Sequence, residues 1–207
     1  MSDEPGLKGP TTSDPVFERA ALWPVGLTFL HSHGLTLWGS GGDPEGRDHV
    51  LTVEGELVLC ANGQVLQAFV AGDTTSSLAG LPGYEHLRAW ARTYAGPVEP
   101  ELAFDYRAVA ASLEWRTDRW DRDAAGDLLD AMNMLYDVAA ALDEHELLEQ
   151  FDAGAYGALV DQVTFVEEEE FHTVVRTLDM DGLRRLLGAA VDRIERRVRQ
   201  VPADATG

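Results

Sequence analysis

The sequence predicts an α+β protein: an N-terminal antiparallel β meander of about five strands, followed by a C-terminal helical layer of five to six helices. Three observations carry this reading. Between residues 24 and 71 apolar residues alternate with polar ones or run in short blocks, as in strands. From about residue 82 they recur three and four positions apart, as on one face of a helix. Strand-like segments come first and helical ones follow, an order that favours segregated layers over repeated βαβ units.

Residues 1–15 contain Pro5, Pro10 and Pro15 with few apolar residues, and read as a flexible tail. Val25, Leu27, Phe29 and His31 then alternate with Gly26, Thr28 and Leu30, and His33-Gly34 reads as a turn before Leu35 and Leu37. Gly39–Gly46 is a loop by composition. Further strands are expected over His49–Val53, Glu56–Ala61 and Gln64–Ala71. Glu54-Gly55 and Asn62-Gly63 read as hairpin turns, because a type I′ turn needs positive φ at both central residues.

Residues 72–82 read as the junction between layers, or between two subdomains of a single domain over 16–201. Residues 202–207 read as a second flexible tail. Beyond the junction, Pro82 suits the first turn of a helix carrying Leu87, Trp90, Ala91 and Tyr94. Phe104, Tyr106, Val109, Ala110 and Leu113 form the next stripe. Leu128, Met132, Leu135, Ala139 and Leu142 form another, with Asp121 or Asp123 as its cap. Tyr156, Leu159, Val160 and Val163 continue the pattern, then Phe171, Val174, Val175 and Leu178. The clearest stripe is Leu183, Leu186, Leu187, Ala190, Val191, Ile194 and Val198. Asp179 is its N-cap, and Arg193, Arg196, Arg197 and Arg199 complement its C-terminal dipole.

The 207 residues carry 36 acids against 16 bases, a formal net charge of −20. Such a chain repels nucleic acid and anionic membranes and favours basic partners. Lys8 is its only lysine, which with many Ala and Gly reads as a GC-rich genome or a salt-adapted proteome. The one cysteine, Cys60, excludes an intramolecular disulfide, and its place in Leu57-Val58-Leu59-Cys60 reads as a small buried hydrophobe. The acidic start Met1–Pro5 does not resemble a secretory signal, and no apolar run reaches the ~18 residues that span a bilayer. A cytoplasmic protein is expected.

No phosphate-binding loop, dinucleotide fingerprint or nucleophile elbow is present, and zinc pairs of the C-x-x-C type are impossible. The candidate residues therefore fall into two sets. The first is acidic and aromatic. Residues 101–178 carry a net charge of −14, concentrated in the run Glu167, Glu168, Glu169 and Glu170. Trp115, Arg116 and Trp120 supply the residue types that anchor protein interfaces. The second set is His31 and His33, which share a face if the segment is extended, with His49 or Asp48 as a third ligand for a divalent transition metal. Glu169 and His172 form an E-x-x-H, but the second copy that a di-iron bundle requires is missing, since Leu142 stands three residues before His145.

The sequence therefore favours a non-enzymatic acidic protein that binds a basic protein partner without a cofactor, in an inhibitor, immunity-type or regulatory role. The alternative is a metal-dependent enzyme built on His31 and His33.

Overall fold

A computed structural model describes residues 15–39, 48–94, 96, 98–114 and 120–206. The expected loop over 40–46 and the residues Trp115 and Arg116 lie outside them, as does the N-terminal tail as far as residue 14. The architecture is mixed α+β, with strands concentrated at the start and helices after them.

The chain enters through a short helix, α1 (Pro15–Ala20), and then forms the hairpin β1 (Leu22–Thr28) and β2 (His33–Gly39). These pair antiparallel from Leu22↔Gly39 to Thr28↔His33. The hairpin turn is Phe29–Ser32, closed by the Phe29 amide donating to the Ser32 carbonyl at 2.8 Å. The turn thus lies before His33-Gly34, and both residues are already in β2. Next come β3 (His49–Val50), β4 (Thr52–Val53) and β5 (Glu56–Cys60). β2 meets β5 only at Leu35↔Cys60, and β3 and β4 fill the wedge where the two diverge. Between β4 and β5, Glu54 and Gly55 both have positive φ, 53° and 77°. This is the type I′ turn that Glu54-Gly55 predicts.

Asn62-Gly63 is not a hairpin turn, and Gln64–Ala71 is not a strand. The segment is a helix, α2 (Gly63–Gly72). Asn62 is its N-cap, Oδ1 accepting from the amides of Gln64 and Val65 at 3.0 Å each. Gly63 is needed for another reason: a Cβ there would stand 1.8 Å from the carbonyl oxygen of Val98. Helix α3 (Pro82–Ala91) follows, with Pro82 in its first turn as expected.

Two strands from later in the chain form the sheet's edges, which the predicted meander lacks. β6 (Leu102–Asp105) pairs parallel with β1, and β7 (Val198–Val201) pairs parallel with β5. The helices α4 (Tyr106–Ser112), α5 (Arg122–Ala141), α6 (His145–Asp152), α7 (Ala155–Phe165), α8 (Glu168–Val175) and α9 (Met180–Glu195) lie between them in sequence. Asp121 caps α5 through the Ala124 amide, and Asp179 caps α9 through the Gly182 amide, each at 2.8 Å. Helix α9 ends at Glu195, so Val198 and Arg199 belong to a strand and not to its last turn. At the C-terminus a 3-10 turn over Ala203–Thr206 takes the place of the expected tail.

The sheet is covered on both faces. Leu57 and Leu59 of β5 join a core with the buried residues of α4–α9, including Tyr106, Leu128, Met132, Phe151, Phe171, Leu183 and Ile194. Val58 and Cys60 point the other way, into a second core with Phe17, Val65, Leu66, Tyr84 and Leu87 of α1–α3. The period of two in a strand splits its residues between the two faces. Burial on both sides explains why Leu57–Cys60 is apolar without alternation.

Candidate binding surfaces

The acidic run sits at the corner between α7 and α8. Helix α7 ends at Phe165, and Val166 and Glu167 are extended before α8 begins. The carbonyls of a helix's last turn lack intrahelical partners. Arg122 supplies two: its guanidinium donates to the carbonyl of Val163 at 2.9 Å and to that of Val166. The same guanidinium lies 4.9 Å from the ring centroid of Phe171, which is buried and roots α8 in the core. The corner is braced from beneath while its outer surface stays open. Phe165 is 75% exposed. Glu167, Glu169 and Glu170 are exposed, and no ion pair joins them to any described residue.

Elsewhere many acids are paired with the C-terminal arginines. Buried Glu144 accepts from Arg193 at 2.5 Å and from Arg197 at 2.7 Å. Arg193 also reaches Glu146, and Arg199 reaches Glu54 and Glu56. Arg184 pairs with Glu114 and Asp181. Glu167, Glu169 and Glu170 take part in no such pairing with the described residues.

Trp120, expected at a partner contact, is a correction: it is 1% exposed and packs in the larger core. A side chain sealed there cannot anchor a partner. Phe165 is the exposed aromatic that the sequence reading missed. Its signal was weak, a lone aromatic between Thr164 and Val166 just before the acidic run, outside the stripe of Leu159 and Val163.

The three histidines do not come together. His33 opens β2 opposite Thr28, whereas His49 pairs with Gly39 at the far end of that strand. Six residues of strand separate those positions by about 20 Å. His31 is exposed in the hairpin turn, and what the fold uses there is backbone. Glu195 Oε1 accepts from the amides of His31 and Ser32 at 2.6 and 2.7 Å, and from the Ser32 hydroxyl at 2.9 Å. Among the described residues no group of three or more His, Cys, Asp or Glu is placed to hold a metal. His172 and Glu169 are both exposed on α8. Burial pushes the Cys60 thiol up to about 12, which removes it as a nucleophile at neutral pH.

A second open surface lies under the tip of the β1–β2 hairpin. Leu30, 57% exposed, overhangs a groove of about 310 Å³ between α4 and α9. Ala110, Leu113, Leu187 and Val191 give it an apolar floor. Among the described residues no helix is long and apolar enough to cross a membrane.

Comparison with known proteins finds one family model, described as the SatS C-terminal domain, matching residues 22–181. The chain is also similar to the crystal structure of the SatS C-terminal domain in complex with bromine, with a TM-score of 0.63 at 16% identity. That match covers 89% of this chain and 96% of the other. At that identity the likeness concerns the fold. No curated protein matches the sequence.

Proposed function

The chain belongs to the SatS C-terminal domain family, and from its own surface we propose that it acts by binding another protein, taking a basic partner segment at the α7–α8 corner. The observation that carries this is Phe165, 75% exposed beside Glu167, Glu169 and Glu170. An exposed aromatic rimmed by charge of one sign is the arrangement of an interface anchor with its steering field. The net charge of −20 extends that field over the whole molecule. The role is binding, in the manner of an inhibitor, an immunity protein or a regulator. A cytoplasmic location belongs to the same reading.

The test is capture of the partner from native lysate by the purified protein, compared with Phe165→Ser and with a Glu167→Gln, Glu169→Gln, Glu170→Gln variant. These positions are exposed, so both variants should fold and melt like the parent. Capture should weaken with salt in the parent. It should fall about thirtyfold in Phe165→Ser, the effect of removing an anchor of about 2 kcal/mol. Undiminished capture by both variants would reject the corner as the contact.

A further inference from the structure

Helix α5 brings Asn133, Tyr136 and Asp137 to one side, at spacings of three and four residues. Facing them are Trp38 of β2, Asp48 and His49 at the start of β3, and Phe151, Asp152 and Tyr156 of α6 and α7. The Asp137 carboxylate accepts through Oδ2 from the Trp38 indole N–H at 3.0 Å. Oδ1 accepts no hydrogen bond from any described residue. Tyr136 and Tyr156 lie nearly parallel, with ring centroids 6.2 Å apart and 13° between their planes. The edge-on ring of Phe151 fixes both, at 5.5 and 5.1 Å. The Tyr156 hydroxyl donates to Asn133 Oδ1 at 2.5 Å. Trp38 packs on Trp23 at 5.8 Å. Trp38, Tyr136, Asp137 and Tyr156 are each only half-buried, so the cluster opens to the surface.

Among the described residues, no cation pairs with Asp137. The ionisable groups within electrostatic reach of Asp137 are Asp48 from the start of β3, Tyr106 from α4, Tyr136 on α5 itself, and Tyr156 from α7. Asp152 adds negative charge beside the two tyrosines. His49 Nε2 is occluded without a hydrogen bond. A carboxylate held in this way is costly to the fold, and such costs gather at binding sites. A half-buried carboxylate with three aromatic side chains as neighbours suits an organic cation. A metal ion would need several oxygen or nitrogen ligands converging, and no such group exists among the described residues.

We propose that Asp137, Trp38, Tyr136 and Tyr156 form a receptor for a guanidinium group, the carboxylate taking its charge and the aromatic rings its flat faces. Guanidinium fits better than ammonium because it is planar, weakly hydrated and stacks on rings while donating to a carboxylate. This inference does not rest on the Phe165 corner, which belongs to a different part of the surface.

The test is an NMR titration with acetyl-arginine-amide, observing the indole N–H of Trp38 (assigned with Trp38→Phe) and the ring signals of Tyr136 and Tyr156. The expected result is a saturable shift of all three, absent with the neutral isostere acetyl-citrulline-amide. Affinity should fall about tenfold or more in Asp137→Asn, which keeps an acceptor for Trp38. It should also fall as pH drops below about 6, where Asp137 takes up a proton. An arginine-containing decapeptide provides a second arm. Much tighter binding of the peptide makes the natural ligand an arginine side chain of a polypeptide, and equal binding makes it a free guanidinium compound. No saturable shift with arginine, or the same shift with citrulline, would overturn the proposal without any variant having to fold. Loss of binding here with partner capture intact, or the reverse, separates this site from the Phe165 corner.

Discussion

Replacing Asp137 by Asn should make the folded protein more stable at neutral pH, an advantage that is lost in acid, where only the cost of the added NH₂ remains. Burial pushes the Asp137 carboxyl up to about 6 from its usual 3.8. The Trp38 hydrogen bond pulls it back, and the charge of Asp48 raises it further. Holding the ionised group in the fold against that preference costs about 3 kcal/mol at neutral pH. The sign follows from proton uptake. Between pH 3.8 and 6 the folded state binds more protons than the unfolded one, so this group's contribution worsens as pH rises through that window. Below 3.8 the penalty is absent, and above 6 it is fully present. Asn keeps an oxygen for the Trp38 indole but adds an NH₂ that needs its own partner, which returns part of the gain. A net stabilisation of about 1–2 kcal/mol at pH 7.5 is expected, or about 3–6 °C in Tm for a protein of this size. Urea denaturation of both proteins at pH 4, 5, 6 and 7.5 checks it. The difference between them should grow across that series, while all other carboxylates cancel in the subtraction. A difference independent of pH, or a variant less stable throughout, would refute the reasoning.

Two further outcomes test how the interior is assigned. Trp120→Ala should cost about 3–5 kcal/mol in urea denaturation, because a large side chain 1% exposed leaves a cavity; near-neutral stability would return Trp120 to the surface. Cys60 should resist a thiol reagent such as DTNB in the native protein and react fully once urea unfolds it, since burial holds its pKa at about 12.

The split between a strand-rich start and a helical remainder was legible because it rests on hydrophobic period alone, and so were the caps at Asp121 and Asp179 and the turn at Glu54-Gly55. What failed shares one cause: residues whose local meaning is decided by a distant part of the chain. Asn62-Gly63 suits a hairpin turn and a helix start equally. The carbonyl of Val98, thirty-five positions away, makes a glycine necessary there. Val198–Val201 continues the apolar stripe of α9 on paper, but the open edge of β5 accepts it as a strand: Leu57 donates to the Arg197 carbonyl at 2.8 Å and Ala61 to that of Val201 at 3.0 Å. His31 and His33 looked like ligands because spacing along the chain says nothing about where His49 lies. The Asp137 cluster was invisible for the same reason, since its members come from β2, β3, α5, α6 and α7.

The distribution of charge pairing bears on which acids carry a message. Helix α9 and β7 act as a clasp: Glu195 holds the β1–β2 turn, Arg193 and Arg197 hold Glu144 before α6, and Arg197 also donates to the Gly55 carbonyl. Acids within reach of that clasp are engaged in holding the fold. At the α7–α8 corner the local cation, Arg122, is turned inward onto backbone carbonyls and the face of Phe171. Glu167, Glu169 and Glu170 form no ion pair with any described residue, and Phe165 is exposed beside them. An acidic surface serving solubility alone needs no exposed aromatic, and an aromatic serving the core would be turned inward as Phe171 is. The two together, on a corner braced from below, are what distinguish this stretch from the other acidic parts of the chain.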